Sequence, residues 1–233
     1  MRITTTDAFI EAMGRVVHFA AVAFEHADID GEEREYKLAF LKDFEAVAEK
    51  FRAGDEHWFD DFLIAVRDPG LANGPTIKLL PELRDIAGQQ QIDAAFEPLF
   101  RAGAGSNALD EFVPAMKRLD EDLTAAGVMS VGAAVLFGLS GWEYVPYHSV
   151  AASRFLRLLG TEPWTLEEPS DRYEQFLGAL AILLRESRRT NGPLRDLLDA
   201  QSAVWRLMNR GEPGANWPKE EADALIAWRG SLD

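Results

Sequence analysis

The sequence predicts an all-α fold, a globular bundle of nine or ten helices, on three observations. Large apolar residues recur at steps of three and four along most of the chain. No run of four or more residues alternates cleanly with β-branched enrichment, as a half-buried strand would. The breaks between periodic segments are short and made of the residues that stop helices. The first helix is expected over Asp7 to His26. From Glu32 to Arg52 the residues Tyr36, Phe40, Phe44, Val47 and Phe51 form one stripe, and Gly54 supplies the stop. Helices follow at Glu56 to Arg67, Gln89 to Arg101 and Ala108 to Ala126. Ser130 is expected to cap a central helix that Gly138 to Gly141 ends, and His148 to Leu159 forms the next. Ser170 is expected to cap a helix carrying Tyr173, Phe176, Leu177, Leu180, Leu183 and Leu184 and ending near Arg189. Pro193 reads as the first position of a helix with Leu194, Leu197, Leu198, Gln201, Val204, Trp205 and Met208 on one face. Pro218 opens the last, with Leu225, Ile226 and Trp228.

Composition supports a packed core. The chain has 233 residues, 47% of them hydrophobic and 27% charged, with six Trp and fourteen Phe, which excludes disorder over most of its length. The absence of cysteine excludes disulfides, thiolate zinc sites and a cysteine nucleophile, and a reducing cytoplasm fits it. Leu123 to Trp142 is free of charge for twenty residues, the length of a membrane span, but its glycines and the Ser130 cap leave only about ten helical residues, or ~15 Å. It is read as a buried central helix, and no membrane segment is expected. Val16 to Phe24 is apolar too, yet Asp7 and Glu11 stand where a signal peptide needs positive charge. Linkers fall at Asp68-Pro69-Gly70, Gly103 to Asn107, Gly160 to Pro169 and Asn209 to Pro218. A single helical domain over 1–233 is expected, with Gly103 to Asn107 the best place for a subdivision.

Several chemistries lack their residues. Without a Gly-Lys dipeptide there is no P-loop, and Gly103-x-Gly105 follows no strand. The four histidines form neither an ExxH nor an HExxH pair. Asp28-Ile29-Asp30-Gly31 resembles the middle of a calcium loop, but in that register Lys37 would stand where the bidentate carboxylate belongs. No metal and no cofactor are therefore expected.

Two groups of residues are candidates for binding. Trp142, Tyr144, Tyr147 and His148 form the densest polar-aromatic patch, suited to stacking a ligand or base, or to packing a loop against the core. Arg185, Arg188 and Arg189, with Arg195 nearby, could hold phosphate or carboxylate, or could offset the negative end of a helix dipole. Net charge is 24 − 39 = −15, so sequence-independent DNA binding is expected to be weak at most.

Taken in order, Glu33-Arg34-Glu35-Tyr36-Lys37, LFGLSGWEYVPYHSVAASRFLRLLG, the YEQFLGALAILLRE helix and LRDLLDAQSAVWRLM resemble the all-helical region upstream of the ATPase core in McrB-like AAA+ restriction and anti-phage proteins. The resemblance runs from about Glu33 to Met208, and its last helix places acidic residues, Gln and Trp at Asp196, Asp199, Gln201 and Trp205. It implies a cytoplasmic defence protein whose helical module works with a nucleotide-driven motor and a nuclease partner. The chain departs from the whole system in lacking Walker A, Walker B and nuclease motifs. The expectation is thus a non-catalytic recognition or scaffold module served by a protein partner or a linked AAA+ ATPase domain. The alternative is a helical protein that senses a nucleotide or another small anion through the aromatic turn and the arginines.

Overall fold

The computed structural model describes residues 7–26, 29, 33–67, 71–161, 166–208, 213 and 215–231. Among the described residues there are eleven helices and no strand. They are α1 (Asp7–Glu25), α2 (Glu35–Ala53), α3 (Trp58–Ala65), α4 (Gly74–Ala87), α5 (Gln89–Phe100), α6 (Ala108–Leu119), α7 (Ala125–Ser140), α8 (Ser149–Leu158), α9 (Pro169–Arg189), α10 (Leu197–Met208) and α11 (Lys219–Gly230). The helix beyond those expected is α4. The Asp68-Pro69-Gly70 linker, all of Asp28-Ile29-Asp30-Gly31 except Ile29, and parts of the linkers at 160–169 and 209–218 lie outside the described residues.

The chain divides into two compact units. One comprises Tyr36–Ser149 and Leu166–Glu174; the other comprises Met1–Glu35, Val150–Thr165 and Gln175–Asp233. The segment Gly103 to Asn107 joins α5 to α6 inside the first of these.

In the unit holding α2 to α7, the α2 stripe faces inward. Phe44 is fully buried, stacked on Phe100 at 6.2 Å between ring centroids and edge-on to Phe62 at 6.4 Å. Trp58, Phe62 and Phe96 continue the aromatic core, and the Phe96 ring meets Phe112 of α6 at 5.0 Å. Such offset and edge-to-face pairs add to the energy of burial. Helix α7 is buried continuously from Gly127 to Phe137, as its lack of charge predicted. Three glycines let neighbours come close to it: the Thr76 side chain occupies the space where Gly127 would carry a Cβ, those of Leu109 and Phe112 do so at Gly132, and the Phe44 ring at Gly138.

The start of α7 differs from the expectation. Thr124, six residues earlier than Ser130, is the N-cap, its hydroxyl accepting from the Gly127 N–H at 3.1 Å. Ser130 instead lies mid-helix, and its buried hydroxyl has no hydrogen-bond partner among the described residues. Ser130→Ala is therefore expected to leave stability unchanged or raise it by up to about 1 kcal/mol, readable by urea unfolding. Ser170 is likewise inside α9 and not its cap. Asp110 of α6 does the capping, accepting from the Ser170 N–H at 2.9 Å and the hydroxyl at 2.6 Å.

In the other unit α10 is the central element, buried from Leu198 through Val204 and again at Leu207 and Met208. It begins at Leu197, behind Asp196, so Pro193 lies before the helix and not at its first position. The Asp196 carboxylate accepts from the Asp199 N–H at 3.0 Å. At the opposite end Arg154 donates to the Met208 carbonyl at 2.8 Å, and Arg229 of α11 donates to those of Leu207 and Arg206. Anions at the start and cations at the end both favour the helix dipole.

Candidate functional site

The aromatic turn follows directly from the end of α7. Gly141 closes that helix at φ 62°, a left-handed conformation suited to glycine. The chain then crosses to α8 through Val145, which is fully buried. Its backbone is pinned by one side chain: the Tyr173 hydroxyl donates to the Val145 carbonyl at 2.6 Å and accepts from the Val145 N–H at 3.0 Å. Tyr144 stacks on the Tyr173 ring and Tyr147 meets it edge-on, each at 6.0 Å. Burial raises the Tyr147 phenol to about 12, with the charge of Arg172 working the other way, and burial raises that of Tyr173 further still. His148 is buried as well. Of the four candidates here, only Trp142 is exposed, at 52%. The turn is thus held by packing and by the hydroxyl of Tyr173.

Removing that hydroxyl would leave a buried N–H and a buried C=O of Val145 without it. Tyr173→Phe is expected to cost about 1–3 kcal/mol in urea unfolding.

The arginines divide. Arg188 donates to the Arg195 carbonyl at 2.7 Å, tying the end of α9 to the segment before α10. Arg185 and Arg189 flank Glu186, at 3.7 Å and 2.7 Å, with about 70% of each side chain exposed. These two, with Glu186 and Thr190, form one wall of a cavity of about 530 Å³. The other wall is α1, through Phe9, Ile10, Met13, Gly14, Val17 and His18. None of these α1 residues was a candidate in the sequence. The apolar run from Val16 and the glycine in mid-helix were the visible signals, but their pairing with α9 is a tertiary event. Arg185, Arg188 and Arg189 lie in one compact unit and Trp142 to His148 in the other.

A third cluster surrounds the start of α10. Arg34 holds Asp196 bidentately, at 3.0 and 2.8 Å, and also reaches Asp199 at 2.5 Å. Arg195 donates to Asp199 through its backbone N–H at 2.9 Å and through two N–H groups of its guanidinium at 2.7 and 3.0 Å. The fully buried Asp199 carboxylate therefore accepts two hydrogen bonds on each oxygen, which fills its lone-pair capacity. The hydrogen bonds that Arg34 donates to Asp196 raise its guanidinium above the ordinary value, burial opposing. At Asp196 burial acts to raise the carboxyl, but the hydrogen bonds from Arg34 and the Asp199 N–H, with the charges of Arg34 and Arg195, outweigh it and leave the carboxyl lowered.

Among the described residues no group of three or more His, Asp or Glu side chains is placed to hold a metal ion, and no helix is long and apolar enough to cross a membrane. No protein-family model, curated protein or solved structure matches the chain.

Proposed function

We propose that this chain is a non-catalytic recognition or scaffold module of a McrB-like restriction or anti-phage defence system, acting in the cytoplasm with a protein partner or a linked AAA+ ATPase domain that supplies the chemistry. The observation that carries this reading is the state of its acidic residues. Asp196 and Asp199, which the resemblance singles out, are engaged with Arg34, Arg195 and the start of α10. Asp199, which accepts four hydrogen bonds, has no lone pair left for a metal ion or an attacking water.

The second reading, a sensor of a nucleotide or other small anion, is favoured by the cavity that sets Arg185 and Arg189 above an apolar wall. Thermal unfolding with added nucleotide separates the two, because a ligand at ~100 times its dissociation constant adds ~2.7 kcal/mol. The scaffold reading expects no shift with ATP, GTP or their diphosphates. A clear shift would favour the sensor.

The same purified chain is expected to bind labelled duplex or single-stranded DNA weakly at low salt and not measurably at physiological salt. Its charge of −15 opposes phosphate, and contact through a few arginines releases few counterions. Tight binding that survives physiological salt, or that ignores Arg185→Ala, Arg188→Ala and Arg189→Ala together, would contradict this.

A further inference from the structure

We propose that the cavity between α1 and the end of α9 binds a small anionic amphiphile, a medium-chain alkyl carboxylate, with its chain along α1 and its carboxylate on Arg185 and Arg189. This rests on the small-anion reading above and assigns it a ligand class.

The apolar wall runs from Phe9 to Val17, eight steps along the helix or ~12 Å, and the residues that line it there, Phe9, Ile10, Met13, Gly14 and Val17, carry no charge. Ile10, one of the lining residues, is 57% exposed. Gly14 keeps this wall hollow. A glycine inside a helix costs stability relative to alanine, and here no neighbour demands it, since a Cβ at Gly14 would meet nothing within 4 Å. The missing side chain thus leaves room beside α1.

Charge selects the head group. Two guanidiniums face one carboxylate, Glu186, so the rim retains one positive charge in a strongly acidic chain. Planar guanidinium forks match a carboxylate in geometry. A neutral alkyl group would leave that charge unanswered. Phe9 is only 7% exposed, so the surface that α1 offers between Ile10 and Val17 is aliphatic, which suits an alkyl chain. The size falls within the roughly 300–1,000 Å³ of small-molecule sites.

Calorimetric titration of the full chain with octanoate, octanol, octylammonium and ATP, all below their aggregation limits, tests the assignment. Octanoate is expected to saturate one site, with octanol and octylammonium weaker by roughly tenfold or more. Gly14→Leu should abolish octanoate binding while unfolding at a temperature no lower than the parent, since leucine is the better helix former. Arg185→Gln with Arg189→Gln should reduce octanoate to the level of octanol and leave octanol unchanged. Absence of saturable octanoate binding, binding that persists in Gly14→Leu, or equal binding of octanol would overturn the proposal. ATP binding without octanoate binding would also overturn it, while leaving the small-anion reading in place.

Discussion

Phe44→Ala is expected to destabilise the chain by about 3–5 kcal/mol, the largest effect of any single substitution considered. The ring is fully buried, stacked against Phe100, edge-on to Phe62 and pressed onto α7 at Gly138. Gly138→Ala tests the same contact from the other side. Helix propensity alone would make alanine better by about 1 kcal/mol, but its methyl would overlap a ring that its neighbours hold in place. A net loss of about 1–3 kcal/mol is therefore expected. Together the two substitutions should cost less than their sum, because the methyl then enters space that the ring has left. Urea unfolding of the four proteins reads the coupling, expected at about 0.5–3 kcal/mol. Additive losses would show that the ring and the glycine are not in contact.

Asp199→Ala is expected to cost about 2–4 kcal/mol. It removes one anionic partner of Arg34, whose side chain is only 14% exposed, and the acceptor of three donors on Arg195. The loss should be smaller than for a fully unpaired buried cation, since Asp196 still holds Arg34. Asp196 adds a pH dependence. Its carboxyl is lowered in the folded chain, so the stabilisation is fully present above the ordinary aspartate range and is lost as pH falls through the lowered folded value. Asp196→Asn should accordingly be less stable than the parent at neutral pH, with the difference shrinking in acid. A gap independent of pH would contradict the assignment.

How much could be read in advance depended on whether one helix alone determined the outcome. The α2 stripe was legible because Phe40, Phe44 and Val47 repeat at helical spacing and are all buried. The burial of α7 followed from its lack of charge. Helix α4 lies outside the expected helices, and it holds residues that ordinarily stop one: Gly74 and Pro75 lie in its first turn and Pro81 inside it. In the folded chain Asn73 caps this start, accepting from the Thr76 N–H at 3.1 Å, and proline in the first turn forfeits no intrahelical bond. Ser130 and Ser170 were read as caps because a serine before an apolar run has that look. At Ser170 the cap is Asp110, sixty residues away, which no local pattern reveals.

The candidate site was legible in the same partial way. Arg185 and Arg189 stood out as a basic group in an acidic chain, and they do line a cavity. The opposite wall, on α1, comes from residues more than 160 positions earlier. The aromatic turn was conspicuous for its composition, but Tyr173 on a separate helix decides what its rings do, by drawing Tyr144 and Tyr147 into packing. Asp196 and Asp199 stood out through resemblance, and their engagement depends on Arg34, more than 160 residues distant.

Steady-state hydrolysis of ATP and GTP by the purified chain, followed across the fractions of a sizing column, tests the non-catalytic reading most directly. The account predicts phosphate release equal to the buffer blank in every fraction that contains the chain. Release that rises and falls with the chain across those fractions would contradict it.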